Sequence, residues 1–200
     1  RRVKLIEEKL PPIRFKPHTY GEPIPKTKLG AWTLLDTETL LYSSETSSPF
    51  PNGEVNFIEN KTEPPSRAYL KLWEIFTLCE TYPKPQETAV DLGACPGGWT
   101  WVMAKHKVDI LAIDKAEITP EIQNMPTVTY ENKSGFSLLP QDFPAVDWLL
   151  SDMACYPERL YELVQKWLEK GSVKNFVFTI KLQGGNTKES IELFRTIPNS

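Results

Sequence analysis

Two hundred residues, 40% hydrophobic and 24% charged, are enough to bury about 70% of the unfolded chain's surface, so one full domain fits together with a fragment of another. A formal charge of -3, from 23 Lys and Arg against 26 Asp and Glu, excludes a global field that draws in nucleic acid, and any polyanion must be met by a local basic patch. No apolar run approaches the ~20 residues of a membrane span, and three scattered cysteines beside two histidines suit no metal site, so the expectation is a metal-free, cytoplasmic chain with reduced thiols.

The chain opens on Arg1-Arg2-Val3 with neither an initiator methionine nor the apolar stretch of a signal peptide, which suggests part of something longer. Nine of its eighteen prolines fall in the first 65 residues, together with the polar run Ser43-Ser44-Glu45-Thr46-Ser47-Ser48. Residues 1–63 therefore read as extended segments and linker. Within them Trp32-Thr33-Leu34-Leu35 and Leu40-Leu41-Tyr42 flank Asp36-Thr37-Glu38-Thr39, the pattern of a small hairpin with a four-residue loop.

From residue 64 onward helical and strand-like periods alternate, the signature of an α/β domain with a Rossmann-like parallel sheet covered by helices on both faces. Ser66 follows Pro64-Pro65 and can cap a helix whose apolar positions Tyr69, Leu72, Trp73 and Phe76 repeat at helical spacing. Lys71 projects from its opposite face. Strands are expected at Thr88 to Leu92, Val108 to Ile113, Thr127 to Tyr130, Val146 to Leu150 and Asn175 to Ile180, with crossover helices between them. The clearest helix spans Glu158 to Lys170, with Leu160, Leu163, Val164, Trp167 and Leu168 on one face and Gly171 placed to end it. Trp73, Trp148 and Trp167 take core positions.

Chemistry collects where these strands end. Val90-Asp91-Leu92-Gly93-Ala94-Cys95-Pro96-Gly97-Gly98-Trp99 is an apolar strand running into glycines and then a helix. In open α/β sheets ligands bind there, and glycines let backbone approach them closely. Cys95 and Pro96 break the G-x-G-x-x-G spacing of a pyrophosphate cradle, which weakens a dinucleotide reading; a loop packing against a nucleoside and an amino-acid moiety needs no such cradle. Asp114 ends the next strand about twenty residues later, where Rossmann-type sites place an acid for ribose hydroxyls; a cap or turn role is equally ordinary. Asp152 and Lys181 each close a further strand at the same edge. Arg67, Lys71, Lys61 and Lys105-His106-Lys107 either form a local basic surface or an ordinary charged face.

Four strings in order, Ser66-Arg67-Ala68-Tyr69-Leu70-Lys71-Leu72, Asp91 to Trp99, Ser151-Asp152-Met153-Ala154 and Ile180-Lys181-Leu182, resemble the FtsJ-type (RrmJ-type) ribose 2′-O-methyltransferases. The Cys-Pro-Gly-Gly-Trp-Thr-Trp form, and the hairpin followed by Asn52-Gly53, are most similar to the RlmM branch, which acts on 23S ribosomal RNA and carries an N-terminal RNA-binding region. The resemblance implies S-adenosyl-L-methionine as cofactor, RNA as partner, and catalytic residues Lys71, Asp152 and Lys181. It implies a cofactor site of Asp91, Gly93, Ala94, Pro96, Gly97, Gly98, Trp99, Asp114, Ser134 and Asp152, with Ser134 standing where the family usually has an Asp beside the adenine. The family's fourth catalytic residue, a late-strand Glu, is expected beyond Ser200, because the helix after Lys181 is followed only by Ile197-Pro198-Asn199-Ser200.

A ribose hydroxyl is a poor nucleophile near neutral pH and must be aligned with the sulfonium methyl and relieved of its proton. Lys181, flanked by Lys71 and Asp152, is expected to orient that hydroxyl and accept the proton, with no metal required. Base-amino methyl transfer calls for an Asp/Asn-Pro-Pro-aromatic string that Ser151-Asp152-Met153-Ala154 does not provide, and the glycine spacing disfavours a nicotinamide enzyme. An mRNA-cap methyltransferase and a non-catalytic RNA-binding module of the same fold remain open.

Overall fold

Proline density leaves most of the N-terminal third without regular structure. The computed structural model describes residues 2–10, 15–182 and 187–198, in two units: residues 1–60 with 73–82, and residues 61–72 with 83–200. In the first unit, α1 (Arg2–Glu7) is helical where extended chain was expected; the stretch reaches no proline before Pro11, so nothing in it interrupts helical hydrogen bonding. Strands β1 (Ala31–Leu34) and β2 (Leu40–Ser43) form the expected antiparallel hairpin, with Trp32 opposite Tyr42 and Leu34 opposite Leu40. Its loop holds residues 35–39, one more than expected. Leu35 N–H donates to the Thr39 carbonyl at 3.0 Å, and Asp36 Oδ1 accepts both Glu38 N–H and Thr39 N–H at 2.7 Å, a side chain imitating a turn.

The division between units falls within α2 (Tyr69–Leu78). In the first unit Tyr20 stacks on Trp73, centroids 4.5 Å apart, and Phe57 meets Trp73 edge-on at 5.5 Å. In the second, Ser66 is not the helix cap. Its Oγ accepts Ala68 N–H at 3.4 Å, while Leu70 and Lys71 donate to the Arg67 and Ala68 carbonyls at 3.1 Å, so tight turns occupy 66–68 and helix follows.

The parallel sheet comprises β3 (Thr88–Leu92), β4 (Asp109–Asp114), β5 (Val128–Asn132), β6 (Val146–Ser151) and β7 (Val173–Phe178), in the order β5-β4-β3-β6-β7. Strand β7 lies two residues earlier than expected, so Lys181 follows the strand and does not close it. Pairing sets this: Val146 faces Val173, Ser151 faces Phe178, and when β6 stops only Thr179 N–H still reaches it, at Ser151 O (3.0 Å).

Helices α3 (Gly98–Lys105), α4 (Pro120–Gln123) and α5 (Pro157–Lys170) supply crossovers, and α6 (Thr187–Arg195) follows β7. Between β5 and β6 the expected helix is replaced by two single turns, Gly135–Ser137 and Pro140–Asp142; Pro140 and Pro144 each withhold a backbone donor. Leu160, Leu163 and Trp167 of α5 pack on Val90, Leu92, Ile113 and Leu149, whereas Leu168, expected beside them, is 39% exposed. The chain runs β3, β4, β5 to one side and then β6, β7 to the other, so the reversal opens a crevice at the carboxyl ends of β3 and β6.

Trp167 is 1% exposed, and its indole N–H is buried without an acceptor. Trp167→Ala is expected to cost about 3–5 kcal/mol through the cavity it leaves. Trp167→Phe should cost clearly less, because it also removes the desolvated N–H; urea unfolding of both variants checks the ranking.

Candidate active site

Strand β3 ends in a turn that only particular residues can make. Gly93 N–H and Ala94 N–H both donate to the Ile113 carbonyl, at 2.8 and 3.2 Å, pulling the loop onto β4. Gly93 has φ +79°, and a Cβ there would lie 2.2 Å from Met153 Cγ, so backbone conformation and the neighbouring side chain both require glycine. Gly97, at φ +112°, precedes the first turn of α3, whose Gly98, Trp99 and Thr100 are buried. Trp99 Nε1 donates to the Ala68 carbonyl at 2.9 Å. Asp91, Gly93, Ala94, Pro96, Gly98, Trp99 and Asp152 line one depression together with Ser66, Ala68 and Cys95.

Three carboxylates belong to this edge. Asp91 is buried and accepts Thr100 Oγ1 at 2.7 Å. Burial pushes its carboxyl up to about 7; the Thr100 hydrogen bond opposes that and the charges of Asp152 and Asp114 add to it. Asp114, the last residue of β4, accepts Cys95 N–H at 3.0 Å on Oδ2 and Ala116 N–H at 2.9 Å on Oδ1. Each oxygen keeps a lone pair for another donor.

Asp152 binds two lysines. Lys71 Nζ reaches its two oxygens at 2.8 and 2.7 Å, and Lys181 Nζ reaches Oδ1 at 2.6 Å. Burial raises the Asp152 carboxyl, but hydrogen bonds from Lys181, Lys71 and Thr179 outweigh it and hold the group below the usual range. The structure thus brings Lys71, Asp152 and Lys181 to one point, across separations of 81 and 29 residues.

Ser134 does not line that depression; it precedes the turn Gly135–Ser137, where its carbonyl accepts Ser137 N–H at 2.9 Å and Ser137 Oγ at 2.7 Å. That turn approaches the loop through Gly135, where a Cβ would meet Leu92 and Met153 within 3.3 Å. Thr100, Met153 and Thr179 were not expected here. Of these only Thr179 left a signal: two residues from Lys181 in extended chain, it shares that residue's side. Among the cations read as a basic surface, Lys71 is engaged by Asp152, while Lys105 pairs with Glu63 and stands 5.8 Å over the Trp101 ring.

With this geometry in place, comparison with known proteins finds the family described as FtsJ-like methyltransferase matching residues 64–184, more than half of the chain. The chain belongs to the FtsJ-like methyltransferase family. It is 35% identical over 153 residues to "Ribosomal RNA large subunit methyltransferase M" of Methylococcus capsulatus, covering 74% of this chain and 43% of that protein. The protein of that name in Laribacter hongkongensis is 36% identical over 141 residues (68% and 39% covered), and the one in Actinobacillus pleuropneumoniae serotype 3 is 31% identical over 158 (75% and 43%). This FtsJ-like chain therefore spans about two fifths of the length of these curated relatives. No helix among its described residues is long and apolar enough to cross a membrane.

A carboxyl raised from 3.8 to about 7 holds more proton in the folded than in the unfolded state between those values, so its contribution to stability falls as pH rises from about 4 to about 7 and is level above. Asp152, shifted the other way, acts below that window, its contribution being lost as pH falls through its lowered folded value. Asp91→Asn is expected to gain stability relative to the parent as pH rises from 4 to 7. Urea midpoints of the two proteins at pH 4, 5.5 and 7 measure the difference, and a pH-independent difference would refute the burial argument.

Proposed function

We propose that this chain carries the methyl-transfer part of an S-adenosyl-L-methionine-dependent RNA ribose 2′-O-methyltransferase acting on ribosomal RNA. The observation that carries the reading is the Asp152 carboxylate holding Lys71 and Lys181 beside the glycine loop. The names of the curated relatives support the substrate, and family membership supports the reaction. Residues 64–200 are proposed as the methyltransferase domain, and residues 1–63 as part of an RNA-binding region. A ribosomal RNA substrate would place the reaction in the cytoplasm.

The donor set fits the cofactor. Asp91, Asp114 and Asp152 put three carboxylates at one edge, which repel a pyrophosphate and suit a ligand bearing a sulfonium, an ammonium and ribose hydroxyls. Asp114 would accept the ribose hydroxyls through its remaining lone pairs. Asp91 and the loop from Gly93 to Trp99 would hold the amino-acid end, with Ser134 on the adenine side. When bound, S-adenosyl-L-methionine supplies an activated methyl group on a good leaving group.

The chain's own task is then placement and proton handling. With both Nζ atoms within 2.8 Å of one carboxylate, a hydroxyl set down there meets two lysines whose rotamers are already fixed. Lys181 is the more enclosed, its side chain 28% exposed against 45% for Lys71. We assign to Lys181 Nζ the acceptance of the hydroxyl proton, with Lys71 orienting and Asp152 fixing both.

Lys181→Ala is expected to lower single-turnover methylation of ribosomal RNA by about 10²–10⁴-fold while leaving cofactor affinity within about twofold of the parent's. Near-normal transfer by a folded Lys181→Ala protein would remove that role. Asp114→Ala is expected to weaken S-adenosyl-L-methionine about 10- to 100-fold by calorimetry, and unchanged affinity would take Asp114 out of the site. RNA binding by the parent without any transfer would favour a non-catalytic module.

A further inference from the structure

We infer that Tyr130, on the strand next to Asp114, is a positioning residue for the ribose of the cofactor, acting through Asp114; this rests on the cofactor reading above. Asp114 begins the turn 114–116, and the side chains that hold this turn come from β5. Tyr130 Oη lies 3.1 Å from the Asp114 carbonyl and 3.0 Å from the Ala116 carbonyl. Asn132 Nδ2 donates to the Lys115 carbonyl at 3.1 Å and to Tyr130 Oη at 3.3 Å. Three successive carbonyls of one turn are thus engaged by two side chains two residues apart on one strand. Their common side follows from the strand's period, and the register sets Ala112 opposite Tyr130 and Asp114 opposite Asn132. The Tyr130 ring therefore reaches along the edge of β4 to the point where the chain leaves the sheet.

The consequence for Asp114 is mechanical. Its carboxylate is fixed by two backbone N–H groups, from Cys95 on the glycine loop and from Ala116 within the turn. The Ala116 contact exists only while the turn keeps its shape, and Tyr130 ties the carbonyls at both ends of that turn. A phenol has one proton, so it donates to one carbonyl at a time or shares the proton between both, while Asn132 occupies its oxygen as donor. The Asp114 carbonyl also accepts Lys133 N–H at 3.1 Å, so removing the hydroxyl releases chiefly the Ala116 end of the turn, the end whose N–H holds Asp114 Oδ1, and lets the carboxylate rotate away from the ribose. The effect belongs to cofactor binding, because Tyr130 makes none of the contacts that join Lys71, Asp152 and Lys181.

The test is a double-mutant cycle read by calorimetry with S-adenosylhomocysteine as the probe. Tyr130→Phe should weaken binding about five- to tenfold, the size of one lost hydrogen bond. Placed on Asp114→Asn, the same change should cost less than about twofold, since residues that act through one another are not additive. Asn132→Ala should follow Tyr130→Phe in direction. Initial rates supply the second readout: KM for S-adenosyl-L-methionine rises while kcat at saturating cofactor stays within about twofold, a split that general loosening of the fold does not produce. Unchanged affinity in Tyr130→Phe, or equal losses in both backgrounds, overturns the inference while leaving the cofactor reading intact. Failure of the parent protein to bind the probe overturns both.

Discussion

The shared carboxylate of Asp152 is the contact on which the arrangement of this edge depends. Two ammonium groups at hydrogen-bonding distance from a single point repel one another, and the half-buried position removes much of the water that would screen them. One carboxylate accepting from both turns repulsion into attraction and fixes two long, flexible side chains at once. The energetic sign is asymmetric. Losing either lysine leaves Asp152 with one counter-ion, whereas losing Asp152 leaves two uncompensated cations facing each other. The carboxylate, not either amine, is therefore the structural centre of the triad, even though an amine is assigned the proton.

Depth along the sheet explains why the acids at this edge differ. Asp91 lies inside β3 and is buried, so desolvation dominates and its carboxyl rises to about 7. Asp152 follows the last residue of β6, where burial is incomplete and three donors reach it. Asp114, at the end of β4, keeps backbone donors on both oxygens. One residue type at successive depths gives a carboxyl held up by burial, a permanent counter-ion and, in the proposed function, an acceptor for hydroxyls.

The sequence discloses this edge unevenly. Period and composition locate β3 to the residue and β6 to within one, because apolar runs buried on both faces end abruptly at Gly93 and Asp152. Strand β7 was displaced by two residues, since Ile180 continues the apolar run and only the end of its partner β6 stops the pairing. The crossover after β5 was expected to hold a helix because its length allows one, and Pro140 and Pro144 were the overlooked signal. Lys71 shows the harder limit: on its own helix it is an exposed lysine opposite an apolar stripe, and its partner lies 81 residues away. Spacing within one element cannot report such a pairing. The resemblance supplied it, and the fold supplies the distance.

Cys95 shows how the loop and the ligand class are linked. In a pyrophosphate cradle the residue at this place is glycine, so that backbone can close on the phosphates. Here the Cys95 N–H is committed to Asp114 Oδ2 at 3.0 Å, and the two preceding N–H groups are committed to Ile113. Three consecutive donors that could have faced an anion are turned toward β4. The requirement for glycine then moves to Gly93 and Gly97, where φ is positive, and position 95 is released to carry an exposed thiol. With the first three donors of the loop committed to β4 and carboxylates around it, the departure from the dinucleotide spacing fits the proposed ligand, which brings hydroxyls and positive charge.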